Sequence, residues 1–157
     1  MANGSGTQSS GSAWHRLARP SARQRALWIR GADRTQWMAC GRAWDAVVIA
    51  PVSLGLDALA AMRLGPRSGY PVLADHIRSQ LYVLVPPGTG AAAAGLPGVR
   101  VLSIGHQLLV PATQHGSPTA HWISPPREGP VLLVRTDRLT HHLRALSRPE
   151  HQKANVS

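Results

Sequence analysis

Cysteine is nearly absent: Cys40 stands alone in a chain of 157 residues. A single thiol excludes an internal disulfide framework and any cysteine-rich zinc module. Phenylalanine is missing altogether. Lysine occurs once, at Lys153, while arginine supplies the other 16 of the 17 basic residues. That bias suits a GC-rich coding sequence, so an arginine here is not by itself evidence of a selected contact. Acidic residues are few, with five Asp and two Glu, and no two stand at D-x-D or D-x-E spacing. A two-metal phosphoryl-transfer site therefore has no ligands at the expected spacing. The Walker phosphate loop, the G-x-G-x-x-G turn and the G-x-S-x-G elbow are absent too. No apolar run approaches the roughly 20 residues that span a bilayer. The first 12 residues carry neither charge nor an apolar stretch, so no secretory signal is expected. These absences point to a reduced, cytoplasmic protein without a membrane partner or a cofactor.

What is present is enough apolar sequence, 43%, for one core, and a net charge of +10. A chain this basic is drawn to polyanions by a non-specific, salt-dependent attraction. Residues 1–13 are Gly/Ser-rich and polar and are expected to be disordered. Residues 14–35 form a basic arm. Within it His15, Arg16, Arg19, Arg23, Arg25, Arg30 and Arg34 are opposed only by Asp33, and Ser21 is placed to cap a short helix over 22–30.

A compact domain is expected over residues 36–146, followed by a polar tail over 147–157. The run Trp44–Val52 has the β-branched pattern of a buried strand. Leu56, Leu59, Ala60 and Arg63 recur at helical spacing, which predicts a helix over 54–64, stopped by Gly65-Pro66. Short strands are predicted over 70–74, 81–85, 99–104, 107–110, 121–123 and 131–135. Gly105-His106 is expected to turn a hairpin between the two middle ones. Thr136-Asp137 is expected to cap a last helix over 138–146. The fold class is then α+β, a mixed and mostly antiparallel sheet with two or three short helices.

The reactive side chains suggest little chemistry. His141-His142 has no His or Glu four residues away, and the other histidines lack a Cys, Asp or Glu partner at ligand spacing, so no metal is expected. Cys40 has no histidine beside it and reads as a small core residue. Of the five tryptophans, Trp44 and Trp122 flank strands and are expected in the core. Trp14, Trp28 and Trp37 interleave with the basic N-terminal third, where aromatics can stack on bases.

One ordered set of segments carries a likeness. Trp44-Asp45-Ala46-Val47-Val48-Ile49 leads into Gly55-Leu56-Asp57-Ala58-Leu59. Gln80-Leu81-Tyr82-Val83 follows, then Val85-Pro86-Pro87-Gly88. Gly98-Val99-Arg100-Val101-Leu102 precedes Gly105-His106-Gln107-Leu108-Leu109-Val110-Pro111-Ala112-Thr113, and His121-Trp122-Ile123 closes the set. In order and spacing, residues 40–126 resemble the N-terminal domain of bifunctional DNA primase/polymerases. That is a branch of the archaeo-eukaryotic primase-like fold, found on plasmids, phages and integrative elements, with short actinobacterial relatives.

The departures from that family decide what the resemblance implies. Its paired catalytic carboxylates correspond to Val48 and Ala50, its nucleotide-binding histidine to Gln80, and its third carboxylate to Arg100. Aliphatic and cationic groups cannot hold Mg²⁺ against a triphosphate. The resemblance thus implies a non-catalytic accessory protein, not an enzyme, that regulates or activates DNA replication of a plasmid or integrative element. Its partners would be DNA or a replication initiator protein. Arg78 and Arg100 would offer phosphate contacts in the groove, with Arg16, Arg19, Arg23, Arg25, Arg30 and Arg34 on the arm. Two other classes stay open on the sequence: a transcriptional or developmental regulator, and a protein-interaction module without nucleic-acid binding.

Overall fold

The computed structural model describes residues 35–111, 116–127 and 131–147. The arm residues Arg16, Arg19, Arg23, Arg25, Arg30 and Arg34, the short helix expected over 22–30 and most of the tail lie outside them. The described chain is α+β. Its elements are β1 (Thr35–Ala39), β2 (Asp45–Ile49), α1 (Val52–Ala61), β3 (Val72–Asp75), β4 (Gln80–Val85), a 3-10 turn (Gly90–Ala93), β5 (Val99–Leu102), β6 (Gln107–Pro111), β7 (His121–Ser124) and α2 (Thr136–Leu146).

Five strands form one sheet in the order β5-β2-β4-β3-β7, and every pairing in it is antiparallel. β1 and β6 form a separate antiparallel ribbon. The sheet is buried on both faces, which explains why β2 reads as a continuous apolar run. Val47, Ile49, Val72, Ala74, Leu81, Val83 and Val85 alternate onto one face and pack with Ala58, Leu59, Leu139 and Leu143 of the two helices. Ala46, Leu73, Leu84 and Trp122 alternate onto the other, where Met38, Leu108 and Val110 of the ribbon cover them with Cys40 and Trp44. Trp44 and Trp122 are core residues, as their flanking of strands implies. Burying each such aliphatic side chain contributes about 1.5–3 kcal/mol before chain entropy is subtracted.

The buried carboxylate of Asp45 organises one end of β2. It accepts the backbone N–H groups of Gly88 and Gly90 at 3.0 Å each and the Ser103 hydroxyl at 2.9 Å. These bonds fasten the turn after β4 and the end of β5 to β2. Hydrogen bonding of this kind is what makes a buried carboxylate tolerable.

Several expected elements differ. The turn at Gly105-His106 exists, with His106 N–H donating to the Ser103 carbonyl at 3.0 Å, but it joins no hairpin. β5 pairs with β2, whereas β6 crosses to the other layer and pairs with β1. The reason is burial: Val99 and Val101 pack toward the helices, while Leu108 and Val110 are needed over the opposite face. Leu108–Val110 therefore belongs to the ribbon and not to the main sheet. Residues 131–135 form no strand; Val134 N–H makes a bond to the Leu84 carbonyl and the segment runs on into α2. β1 was not expected, because Thr-Gln-Trp-Met-Ala lacks a β-branched run. Helix α1 starts two residues early at Val52 and ends at Ala61. Helix α2 starts at Thr136 behind Arg135, with no side-chain cap. Thr136 bonds instead to the Thr89 hydroxyl at 2.6 Å, and Asp137 pairs with Arg135.

Candidate nucleic-acid interface

The β1–β6 ribbon covers only part of its sheet face. Beside it lies a cleft of about 160 Å³, lined by residues that include Trp37, Asp75, Arg78, Tyr82, Arg100 and Gln107. Strand register brings the sheet residues together. Val48 on β2 stands opposite Arg100 on β5 and opposite Tyr82 on β4. Gln80 is two residues from Tyr82 along β4 and faces the same way.

The polar atoms form a chain across the strands. Arg100 Nη2 donates to Gln80 Oε1 at 3.4 Å, and the Tyr82 hydroxyl donates to the same oxygen at 3.0 Å. Burial holds the Tyr82 phenol above its ordinary pKa of 10.0, with the Asp75 charge adding to the effect and Arg100 and Arg78 opposing it. At neutral pH it is a neutral donor.

Arg78 enters the cleft from the four-residue turn between β3 and β4. Asp75 builds that turn. Its buried carboxylate accepts Ile77 N–H and Arg78 N–H at 3.0 Å each, an Asx turn. Ser79 then takes a left-handed φ of 54°, and its hydroxyl accepts the Val52 N–H at the start of α1. Arg78 Nη1 donates to Asp75 at 3.2 Å, yet 71% of the Arg78 side chain stays exposed. The carboxylate is thus turned inward while most of the guanidinium's donors face water.

The sequence marks Trp37 as an aromatic among the basic N-terminal residues that could stack on bases, and the structure places it on the wall of this cleft. Along Trp37–Cys40, at and just past the end of β1, the side chains of Met38 and Cys40 are buried and those of Trp37 and Ala39 are exposed. Trp37 is 59% exposed on the ribbon and contributes to the cleft wall. The signal for its exposure lay in that alternation, which is legible only once residues 35–39 are known to be a strand.

Of the eight arginines proposed for binding, the described residues include Arg78 and Arg100, and the structure brings both to this cleft. Of the positions singled out by the resemblance, Val48, Gln80 and Arg100 are neighbours on this face. Ala50 lies past the end of β2, its N–H bonded to the Gly98 carbonyl. Among the described residues no three His, Cys, Asp or Glu side chains are grouped to hold a metal ion. No helix there is long and apolar enough to cross a membrane. Two guanidinium groups, a neutral phenol, an amide and an exposed indole suit an anionic ligand with an aromatic part. No family model, curated protein or solved structure matches the chain.

Proposed function

We propose that the protein is a non-catalytic, primase-polymerase-like accessory factor that binds DNA and regulates or activates the replication of a plasmid or integrative element. The observation that carries this reading is the joining of Arg78 and Arg100 with exposed Trp37 around one cleft. Guanidinium groups match phosphate, and an indole stacks on any base. The net charge of +10 adds long-range attraction to a polyanion. In this reading one position that carries a metal-binding carboxylate in the resembled family, that of Arg100, serves phosphate contact instead. Such a protein occupies or presents DNA and leaves synthesis to a partner, with a replication initiator as the natural one.

The test is equilibrium binding of labelled single- and double-stranded DNA by the full chain across a salt series from about 50 to 200 mM, where phosphate contacts show as a log–log slope. Arg78→Ala, Arg100→Ala and the double variant are run alongside. Binding that persists at the upper salt limit and weakens in the variants supports the cleft. Binding equal in all four proteins assigns the affinity to charge elsewhere in the chain. No binding above the lowest salt removes the nucleic-acid reading.

A further inference from the structure

We propose that His76 and His121 form a two-histidine site for a borderline divalent transition metal of the zinc, nickel or copper(II) class. The two residues are 45 positions apart in sequence, so spacing gives no hint of it. The sheet brings them together. His121 on β7 stands opposite Ala74 on β3. His76 lies two residues beyond Ala74, which makes it the diagonal cross-strand neighbour of His121. Its backbone is fixed there, with N–H donating to the Pro118 carbonyl at 2.8 Å.

The imidazoles face each other through their nitrogens. His76 Nε2 lies 3.0 Å from His121 Nδ1, with ring centroids 5.1 Å apart and planes tilted by 42°. Metal–imidazole bonds of about 2.0–2.1 Å place two ligand nitrogens roughly 3.3 Å apart in a tetrahedron and roughly 2.9 Å apart as cis neighbours in a square plane. The observed separation lies between those values. One ion can therefore bond both nitrogens with a change of a few tenths of an ångström in their separation and a turn of the two rings that aims both lone pairs at it. Imidazole ligation suits zinc, copper and nickel and disfavours magnesium and calcium.

Asp75 does not join the pair, because its carboxylate is spent on the turn and on Arg78. No third His, Cys, Asp or Glu among the described residues completes a cluster. Water or an external ligand would fill the remaining positions. The proton balance is simple. In the apo pair one of the two facing nitrogens carries the hydrogen of the shared bond. On metal binding that proton moves to the other nitrogen of the same ring, and both imidazoles remain neutral. The ion would clamp the turn that carries Arg78 to the edge strand β7. This proposal stands on its own geometry and does not depend on nucleic-acid binding.

The test is calorimetric titration of the full chain with zinc, nickel and copper(II) chlorides at pH 7.5, beside His76→Gln, His121→Gln and a His141→Gln/His142→Gln control. The expected result is a saturable one-to-one site, weakened by an order of magnitude or more in either single variant and unchanged in the control. Its affinity should fall as the solution is made more acidic, because protons compete with the metal for the ring nitrogens. Circular dichroism confirms that each variant is folded; His76 is exposed, His121 is half-buried, and glutamine keeps hydrogen-bonding capacity. Affinity unchanged in both single variants overturns the proposal, as does the lack of a saturable site in the parent chain.

Discussion

Arg100 on β5 reaches across β2 to Gln80 on β4, with Nη2 lying 3.4 Å from the amide oxygen. Val48, on the strand between them, is buried. A bond of that length is weak, so the guanidinium is oriented by Gln80 without being held tightly. Gln80 is itself anchored by the shorter bond from Tyr82 at 3.0 Å. The result is a cation aimed along the sheet face whose remaining donors can turn to an incoming phosphate at little cost.

The cleft reading predicts different signatures for its parts. Trp37→Ala should weaken single-stranded DNA binding by about 1–3 kcal/mol if one base stacks on the indole. Arg100→Ala should weaken binding to all sequences alike and reduce the salt slope by about one. Both side chains are exposed, so unfolding free energies should stay within about 0.5 kcal/mol of the parent. Fluorescence anisotropy and urea melts read both quantities. A stability loss of several kcal/mol in either variant would mean that the residue is structural.

Asp75 is expected to behave in the opposite way. Its buried carboxylate accepts two turn N–H groups and one guanidinium N–H. Asp75→Ala removes the acceptor from both turn N–H groups and should cost roughly 2–4 kcal/mol, since each hydrogen bond to a charged group contributes about 1.5–3 kcal/mol. Asp75→Asn keeps an acceptor for the turn and should cost about half as much. Arg78→Ala should cost under about 1 kcal/mol, because the guanidinium is largely exposed and the Asp75 carboxylate keeps both turn N–H donors. Equal losses in Asp75→Ala and Arg78→Ala would show that the ion pair, and not the Asx turn, holds this corner.

Much of the fold was legible in the sequence. β2, β4, β7 and both helices follow from apolar periodicity, with boundaries off by a few residues. The failures share a cause. The β5–β6 turn was read from local chemistry, and its local chemistry was read correctly. What sent β6 to a second layer was the need to cover Ala46, Leu73 and Leu84, a demand made by distant residues. β1 was invisible for the same reason: its strand form is stabilised by pairing with β6 and not by its own propensity. The site split similarly. Arg78 and Arg100 stand out by their places in the motifs and Trp37 by its basic surroundings, whereas the meeting of the three at one cleft and the His76–His121 pair exist only through tertiary pairing.

Gly55 shows packing overriding propensity. It lies inside α1, where alanine would normally stabilise a helix by about 0.8–1.0 kcal/mol. A methyl group built there would sit 2.5 Å from Leu81 Cδ2 and 3.0 Å from Leu81 Cβ. Leu81 is fully buried on β4, so a shift away from the methyl group must displace other core atoms. Gly55→Ala should therefore destabilise the fold by about 1–3 kcal/mol, the usual cost of overpacking. Gly55→Ala combined with Leu81→Ala should lose less than the sum of the two single changes. Full additivity in urea melts would show that the two sites do not touch.

Cys40 makes the last prediction. The thiol is buried between the ribbon and the sheet, and burial, reinforced by the negative charge of Asp45, pushes its pKa up to about 12. The folded protein should react very slowly with a disulfide reagent at pH 8, and the unfolded protein quickly, since the thiolate is the nucleophile. The same shift makes stability depend on pH. In the unfolded chain the thiol ionises near its usual value of 9.0, whereas in the folded chain it stays protonated to about 12. Across that window the unfolded state has lost a proton that the native state keeps, so stability falls as pH rises. Below the window the contribution is fully present. Cys40→Ala should remove this dependence, giving a shallower decline of melting temperature between pH 9 and 11 than the parent shows. Parallel curves for the two proteins, or rapid thiol modification in the folded state, would place Cys40 within reach of solvent.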